Sequence, residues 1–146
     1  MHQNAAVMHR WFEELWNQKR EETIDALLSD DVVAHGLADG GTPLHGREGF
    51  RQVYRFYVGA FPDIKFHVDD VVAEGDLVAT RFTITATHAG PNLGFAATNR
   101  PVTFGGMTLA RVKDGKIVEG WNTVDLLGML QQLGVAPKVS ATIPLE

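Results

Sequence analysis

The chain has 146 residues, 45% of them hydrophobic, and a formal net charge of −5. A chain of this size buries about 70% of its unfolded surface, so we expect one domain over residues 1–146 that needs no metal or disulfide to fold. The lack of cysteine excludes thiol nucleophiles and thiolate metal sites. The mild acidity, without any basic cluster longer than Lys19-Arg20, argues against a nucleic-acid partner. The opening MHQNAAVMHRW lacks the apolar stretch of a signal peptide, and no run reaches membrane-spanning length, so we expect a cytoplasmic protein with no membrane partner.

The first half of the chain has the periodicity of helices. Apolar residues recur at helical spacing over residues 4–18, and TIDALL predicts a shorter second helix. VVAH then predicts a brief strand, followed by a loop rich in Gly, Asp and Pro. A third helix, with apolar positions from Phe50 to Phe61, should end at Pro62.

The second half has the pattern of strands. IKFHVDDVVA and LVATRFTITATH form one predicted hairpin around EGD, and PVTFGGMTLARV and KIVEGWNTV form another around KDGK. A long loop, AGPNLGFAATNRP, separates the hairpins, and LLGMLQQL predicts a short final helix. This order predicts an α+β domain with helices packed on one side of a sheet through Trp11, Trp16, Phe50 and Tyr54. A cavity between the two layers becomes possible.

Four segments resemble the SnoaL-like polyketide cyclases of the nuclear-transport-factor-2-like superfamily. They are FPD at 61–63, GDLVATRF at 75–82, THAG at 87–90 and the stretch from GKIVEGW to LLGMLQQLG. The resemblance implies a cone-shaped barrel, in which a strongly curved, mostly antiparallel sheet wraps around the N-terminal helices and leaves a pocket between the layers. AATNR occupies a stretch of the loop over that pocket that is commonly PPTG in the family.

The resemblance also implies a reaction. Characterised cyclases of this family use a carboxylate as general acid/base in an intramolecular aldol closure of a polyketide ester, without a cofactor. The match assigns that role to Asp125, with His88 and Trp121 as neighbours. The expected partner is a small hydrophobic ligand that contains a carbonyl group, and the expected enzyme class is a lyase or isomerase.

Asp125 also has a purely structural interpretation. Asp is a favoured N-cap residue, and LLGMLQQL begins directly after it. Gly128 stands where a capping box would have Glu or Gln, so that motif is absent. As a base, Asp125 would need a raised pKa, which apolar walls such as Trp121 favour and a nearby Arg81 would oppose. Both interpretations remain open at the level of sequence.

Other candidate residues likewise have two interpretations. His88 ends a long strand, where it could polarise a carbonyl oxygen or simply bond to a loop. His35 corresponds to a position at the pocket mouth in the family, and its alternative is an ordinary surface residue. Arg81 interrupts an apolar strand, where it could hold a substrate oxygen or pair with an acid on the neighbouring strand. No histidine has a partner at metal-ligand spacing, so we expect no metal site.

Aromatic side chains complete the predicted pocket. Tyr57 could line the cavity, although aromatic residues at helical spacing are more often part of the core. Phe95 is the large apolar residue of the loop 89–100, which we expect to act as a mobile lid. Asn122 has the opposite strand parity to Trp121 and Asp125, and should face away from them unless a bulge shifts the register.

Two other functions and one assembly remain possible. An epoxide or ester hydrolase on this fold would use an Asp-Arg-Asp set, of which Asp125 and Arg81 are the visible members. The other function is that of a non-catalytic ligand-binding module. The predicted strand LVATRFTITATH has apolar residues on both faces, and the helices can cover only one face. Val78, Phe82 and Ile84 lie on one face, and Leu77 and Ala79 on the other. We therefore expect a homodimer formed through the outer face of the sheet.

Overall fold

The computed structural model describes residues 2–138 and consists of four α-helices and a six-stranded sheet. The helices are α1 (Gln3–Arg10), which continues directly into a π-helical segment (Trp11–Asn17), α2 (Thr23–Leu27), α3 (Gly46–Ala60) and α4 (Leu126–Gln132). The strands are β1 (Leu28–His35), β2 (Leu44–His45), β3 (Lys65–Glu74), β4 (Leu77–Thr87), β5 (Pro101–Lys113) and β6 (Lys116–Val124). The predicted α+β class is confirmed, and each predicted helix and long strand is present.

The sheet has the strand order β2-β1-β6-β5-β4-β3. Strands β3 to β6 form an antiparallel meander, whereas β1 pairs with β6 in parallel. This parallel pairing brings the first strand of the chain beside the last one. The edge strands β2 and β3 do not pair with each other, so the sheet curves around the helices without closing into a complete barrel.

A β-bulge in β6 decides which of its residues face the helices. Ile117 lies opposite Val112, but Glu119 lies opposite Arg111, so Val118 is an extra residue on β6. An extra residue reverses the alternation of faces along a strand. Ile117 therefore faces the helices before the bulge, and Gly120, Asn122 and Val124 face them after it.

The hydrophobic core lies between the helices and the inner face of the sheet. The four aromatic residues that were expected at this contact, Trp11, Trp16, Phe50 and Tyr54, are all buried. Trp16 packs against Tyr54 with ring centroids 5.2 Å apart, and Trp11 packs against Phe50 at 5.0 Å. Val78, Phe82 and Ile84 of β4 meet them from the sheet side.

The long loop between β4 and β5 is attached to the end of α3. The amides of Ala89 and Gly90 both donate to the carbonyl of Ala60 at 3.1 Å. A side chain at Gly90 would collide with the carbonyl oxygen of Gly59, so only glycine allows this close approach. Within residues 2–138, no helix is both long and apolar enough to cross a membrane.

Candidate active site

An apolar cavity lies between the helices and the sheet, as the layered architecture predicted. Its accessible volume is about 60 Å³. Most of its lining is aromatic, contributed by both layers: Trp11, Phe12, Trp16, Phe50, Tyr57, Phe66, Phe82 and Phe104. We call this space the inner cavity. None of its described lining residues is a carboxylate, an imidazole, an amine or a guanidinium, so a charged ligand would lose its hydration there without gaining a partner of opposite charge.

A polar pair, Thr108 and Asn122, stands out in this lining. The two residues lie directly opposite each other on β5 and β6, and the Thr108 hydroxyl donates to Asn122 Oδ1 at 2.9 Å. Asn122 Nδ2 donates to the carbonyl of His35 at 3.0 Å, which fixes the orientation of the amide. Gly36 allows the end of β1 to lie this close to β6, because a side chain there would collide with the backbone carbonyl oxygen of Asn122. One N–H of the amide and one lone pair of Oδ1 remain for a ligand.

Two further spaces adjoin the inner cavity. A smaller one of about 30 Å³, which we call the rear cavity, shares Trp11, Phe50, Thr108 and Asn122 with it. A larger one of about 480 Å³, the outer pocket, shares Leu37, Val53 and Tyr57 with it. Residues of α4 and of the β4–β5 loop also line the outer pocket: Leu93, Leu126, Met129 and Leu130. The three spaces therefore adjoin one another in the order outer pocket, inner cavity, rear cavity.

Tyr57 lies where the outer pocket meets the inner cavity. Its ring packs edge-on against Trp16 at 6.5 Å and against Phe56 at 5.4 Å. Burial raises the pKa of the Tyr57 hydroxyl, so the phenol remains a neutral hydrogen-bond donor at physiological pH. Tyr57 therefore lies where a ligand would pass from one space to the other, and its contact with substrate stays a prediction.

Asp125 follows the last residue of β6 and caps α4. Its Oδ1 accepts a hydrogen bond from the Gly128 amide at 2.9 Å, and its side chain is exposed. It is flanked by Val124, which lines the inner cavity, and by Leu126, which lines the outer pocket. The carboxylate thus makes the contact expected of an N-cap. Its two sequence neighbours line different spaces, the inner cavity and the outer pocket.

His88 is fully buried, at 0% exposure, behind the cavity wall. The Thr98 amide donates to His88 Nδ1 at 3.1 Å, so the neutral ring has its proton on Nε2. Within the described residues, Nε2 has no hydrogen-bond partner. Phe61 packs against both His88 and the lining residue Phe104, at 5.8 and 6.5 Å, so along this path two rings, Phe61 and Phe104, lie between His88 and the inner cavity.

Phe95 belongs to the same local arrangement. Its ring centroid lies 5.1 Å from that of His88, while Leu93 from the same loop lines the outer pocket. The amide of Asn99 donates to the His88 carbonyl at 2.8 Å, and the His88 amide donates to the Arg100 carbonyl at 3.0 Å. His88 therefore holds together the two ends of the loop that was predicted to be a lid.

His35 and Trp121 lie on the outer face of the sheet, where they contact each other. Their rings stack 5.4 Å apart, with planes that differ by 10°. His35 Nε2 is 2.7 Å from a carboxylate oxygen of Glu119. Neither residue lines the inner cavity. Trp121 lies between Gly120 and Asn122, and His35 follows Ala34, and these neighbours face the helices and line the rear cavity.

Arg81 also lies on the outer face and pairs with acids of the neighbouring strand. Its guanidinium contacts Asp70 at 2.6 Å and Asp69 at 3.7 Å. The hydrogen bond to Asp70 raises the pKa of Arg81. These three residues form an Asp-Arg-Asp cluster, but the Arg81 side chain is 55% exposed and the cluster does not line the cavity. This contact agrees with the structural interpretation of Arg81, in which it pairs with an acid on the neighbouring strand.

Sequence reasoning did not identify Thr108 and Asn122 as site residues. Thr108 had a visible signal, since it interrupts the alternating buried residues Phe104 and Ala110 of β5 with a hydroxyl. Asn122 was correctly expected to face away from Trp121, but the bulge at Val118 that turns it inward has no clear sequence signature. Among the described residues 2–138, no group of three or more His, Asp or Glu side chains has the arrangement of a metal site.

Comparison with protein families gives a match over nearly the whole chain. The model of the family described as SnoaL-like polyketide cyclase matches residues 6–133. Two curated relatives are aklanonic acid methyl ester cyclases, DauD of Streptomyces sp. (strain C5) and DnrD of Streptomyces peucetius. Each is 25% identical over 123 residues, which is 83% of this chain and 76% of DauD or 84% of DnrD.

Solved structures have the same fold. The proposed polyketide cyclase IdmH of Streptomyces antibioticus is 38% identical, with a TM-score of 0.80 over 92% of this chain and 100% of IdmH. AclR of Streptomyces galilaeus, a proposed hydroxylase, is 28% identical, with a TM-score of 0.83 over 97% of this chain and 91% of AclR. Similar structures thus carry different proposed activities, so the residues of the site must decide between them.

Proposed function

Since the chain belongs to the SnoaL-like polyketide cyclase family, we propose that it closes a carbon ring in a polyketide-derived ester by removing a proton next to a carbonyl group. The cyclases among its relatives support a polyketide cyclase-like function. The observation that carries the proposal is the series of spaces from the outer pocket to the rear cavity. It has aromatic walls suited to a flat hydrophobic ligand and only a few hydrogen-bonding groups.

The ring closure needs a base, a site for the developing negative charge, and no external reagent. A base removes the proton from the carbon between two carbonyl groups, and the electron pair becomes an enolate. The enolate carbon forms a bond to the carbon of a third carbonyl group in the same molecule, whose oxygen then takes up the proton. Nothing is oxidised or reduced, and water is neither consumed nor released.

We assign the role of the base to Asp125. A ligand that fills the outer pocket lies against Leu126, Met129 and Leu130, all on the helix that Asp125 begins. The carboxylate would leave its bond to the Gly128 amide to reach such a ligand. Charge on the enolate oxygen would be stabilised by the Tyr57 hydroxyl or the free N–H of Asn122.

For His88 we propose a positioning role. Phe61 and Phe104 lie between the His88 ring and the inner cavity, and His88 Nδ1 is occupied by the Thr98 amide. It holds the loop that carries Leu93 over the outer pocket. His88 would reach a ligand in the inner cavity only if Phe61 and Phe104 moved.

The proposal is tested by incubating the protein with aklanonic acid methyl ester, the compound named for the curated relatives, in water labelled with oxygen-18. We expect a ring-closed product of unchanged mass, formed faster than in buffer. A product that gains labelled oxygen would instead show hydrolysis. Because Arg81 and its acids lie outside the cavity, we do not expect that outcome.

A non-catalytic binding role is the second candidate. It is favoured by the inner cavity itself, whose described lining has no carboxylate or imidazole to move a proton. Under this alternative the ester binds, with quenching of the tryptophans that line the cavity, but is recovered unchanged at the rate found in buffer. Binding without turnover, for this ester and for related β-keto esters, would reject the enzymatic proposal.

A further inference from the structure

Strand β5 extends beyond its neighbour β6 at the end where α4 begins. Strand β6 ends at Val124, which lies opposite Gly106, so within the described part of the chain residues 101–105 have no strand beside them on that side. Unpaired backbone groups of this kind are usually covered in folded proteins. Here the segment that follows β6 covers them, beginning with the Asp125 amide, which donates to the Gly105 carbonyl at 3.0 Å.

Gln132, the last residue of α4, takes the place of a strand at Thr103. Its Oε1 accepts a hydrogen bond from the Thr103 amide at 2.9 Å, and its Nε2 donates to the Thr103 carbonyl at 2.8 Å. Two residues of adjacent antiparallel strands exchange the same pair of bonds. The Gln132 side chain therefore continues the ladder of β5 and attaches the C-terminal end of α4 to the sheet.

Helix α4 depends on such attachments for its direction. With seven residues, it is too short to be stable on its own. Met129 and Leu133 are buried, but Leu126 and Leu127 in the first turn are 41% and 45% exposed. Apolar contacts are not directional, so they do not fix how the helix is turned on the core. The hydrogen bonds to β5 at the two ends of the helix do.

We infer that Gln132 is a positioning residue, which fixes the direction of α4 and thereby the position of the Asp125 carboxylate. Asp125 begins the helix, and its Oδ1 accepts from the Gly128 amide at 2.9 Å. A helix that is attached to β5 at both ends cannot pivot about Asp125, so the carboxylate keeps one place beside the outer pocket. The catalytic consequence rests on the proposed function, in which Asp125 removes the proton.

The rate should depend on this positioning more steeply than binding does. Proton transfer requires the base to lie within hydrogen-bonding reach of the carbon acid, and a misplacement of about 1 Å can cost about 100-fold in rate. Apolar contacts in the outer pocket tolerate a small shift, because they are not directional. Loss of the two Gln132 bonds should therefore lower kcat and leave KM nearly unchanged.

Gln131 provides a matched control. It is the same residue type beside Gln132 on α4, but its Nε2 donates to the Pro137 carbonyl at 3.0 Å and does not contact the sheet. Gln132→Met removes both bonds to Thr103, and Met has nearly the same helix propensity as Gln. Because Gln132 is exposed, the fold should remain. If Gln132→Met does not fold, Gln132→Glu replaces it, since Glu keeps the acceptor for the Thr103 amide and lacks the donor.

Amide hydrogen exchange, followed by NMR in the protein without ligand, tests the positioning itself. In Gln132→Met we expect about fivefold faster exchange at the Thr103 amide, which loses its acceptor, and at the Gly128 amide, which is bonded to Asp125. Gln131→Met should match the wild type at both amides. Faster exchange at Thr103 alone would overturn the inference, because Gln132 would then hold only the edge of the strand.

Ring closure of aklanonic acid methyl ester tests the consequence for the reaction. Gln132→Met should lower kcat about tenfold and change KM by less than about threefold, whereas Gln131→Met should match the wild type. In an Asp125→Asn background, Gln132→Met should change kcat by less than about twofold, because its effect acts through the carboxylate. An unchanged kcat, or the same loss in both backgrounds, would overturn the inference. A wild type that does not close the ring rejects the proposed function instead, and exchange at the Gly128 amide then decides whether Gln132 positions Asp125.

Discussion

Asp125 combines two roles that substitutions can separate. Its carboxylate caps α4 through the Gly128 amide, and we propose that the same group removes a proton from substrate. Asn caps a helix as well as Asp does, whereas Ala does not. Asp125→Asn should therefore keep the melting temperature and lose about 100-fold or more in rate, the usual scale of general acid–base catalysis.

Asp125→Ala should lose the rate and, in addition, about 1 kcal/mol of stability. Thermal unfolding and ring-closure rates of both variants provide the measurement. A fully active Asn variant, in an assay where wild type turns over, would leave Asp125 as a cap and nothing more.

The two tyrosines should make the fold sensitive to alkali. Burial raises the pKa of both Tyr54 and Tyr57 above that of an exposed phenol, which is about 10. In the folded state the neutral phenol is favoured, so the folded protein binds more protons than the unfolded chain above about pH 10. This contribution to stability is complete below pH 10 and is lost as the pH rises through the raised values.

Denaturant unfolding as a function of pH, with phenolate absorbance followed in parallel, measures the effect. Tyr57→Phe should reduce the alkaline loss of stability. Reversible titration of both phenols near pH 10 in a protein that stays folded would contradict the prediction.

Among the elements, the β4–β5 loop is the predicted lid over the outer pocket. Leu93 from this loop lines the outer pocket, and His88 bonds to the loop at Thr98 and Asn99. Closure over a ligand should slow amide hydrogen exchange at residues 91–96, because the loop loses its opening motion. His88→Ala should speed exchange at Thr98, whose amide loses its acceptor, and should leave the centre of β5 unchanged.

Hydrogen-exchange mass spectrometry with and without aklanonic acid methyl ester measures both effects. Equal exchange at residues 91–96 in the two samples, at saturating ligand, would refute the lid.

The elements were also the part of the structure that sequence predicted best. Helical spacing and strand alternation are local properties, and so α1, α3 and the two hairpins were found where the patterns placed them. Pairing of β1 with β6 joins residues from opposite ends of the chain, which a local pattern does not encode. The inner position of Asn122 depends on the bulge at Val118, and for that reason the cavity wall was assigned to Trp121 and its neighbours instead.

For the molecule as a whole, the outer face of the sheet suggests a homodimer. An apolar row crosses this face in register, from Val72 through Ala79 and Leu109 to Trp121. Val72 is 67% exposed, and Leu109 and its near neighbour Met107 are 38% and 52% exposed. An exposed patch of this kind is typical of a surface that another protein covers, and a second copy of the chain is the partner we predict.

Leu109→Lys should therefore convert a dimer into a monomer, because the interface would bury the positively charged lysines of the two copies close to each other. Leu127→Lys is the control, since Leu127 is equally exposed on α4 but lies away from the row. Light scattering at micromolar concentration gives the mass of each. A monomeric wild type would reject the dimer.

The activity we propose for this protein is removal of a proton next to a carbonyl group of a bound ligand. The most direct test is deuterium exchange at the carbon between the two carbonyls of a naphthyl β-keto ester, followed by mass spectrometry in deuterated buffer. This exchange requires neither ring closure nor the natural substrate. We predict that wild-type protein accelerates it well above buffer of the same pD, and that Asp125→Asn reduces the acceleration by about 100-fold. Exchange at the buffer rate, while tryptophan quenching shows the ester bound, would contradict the account.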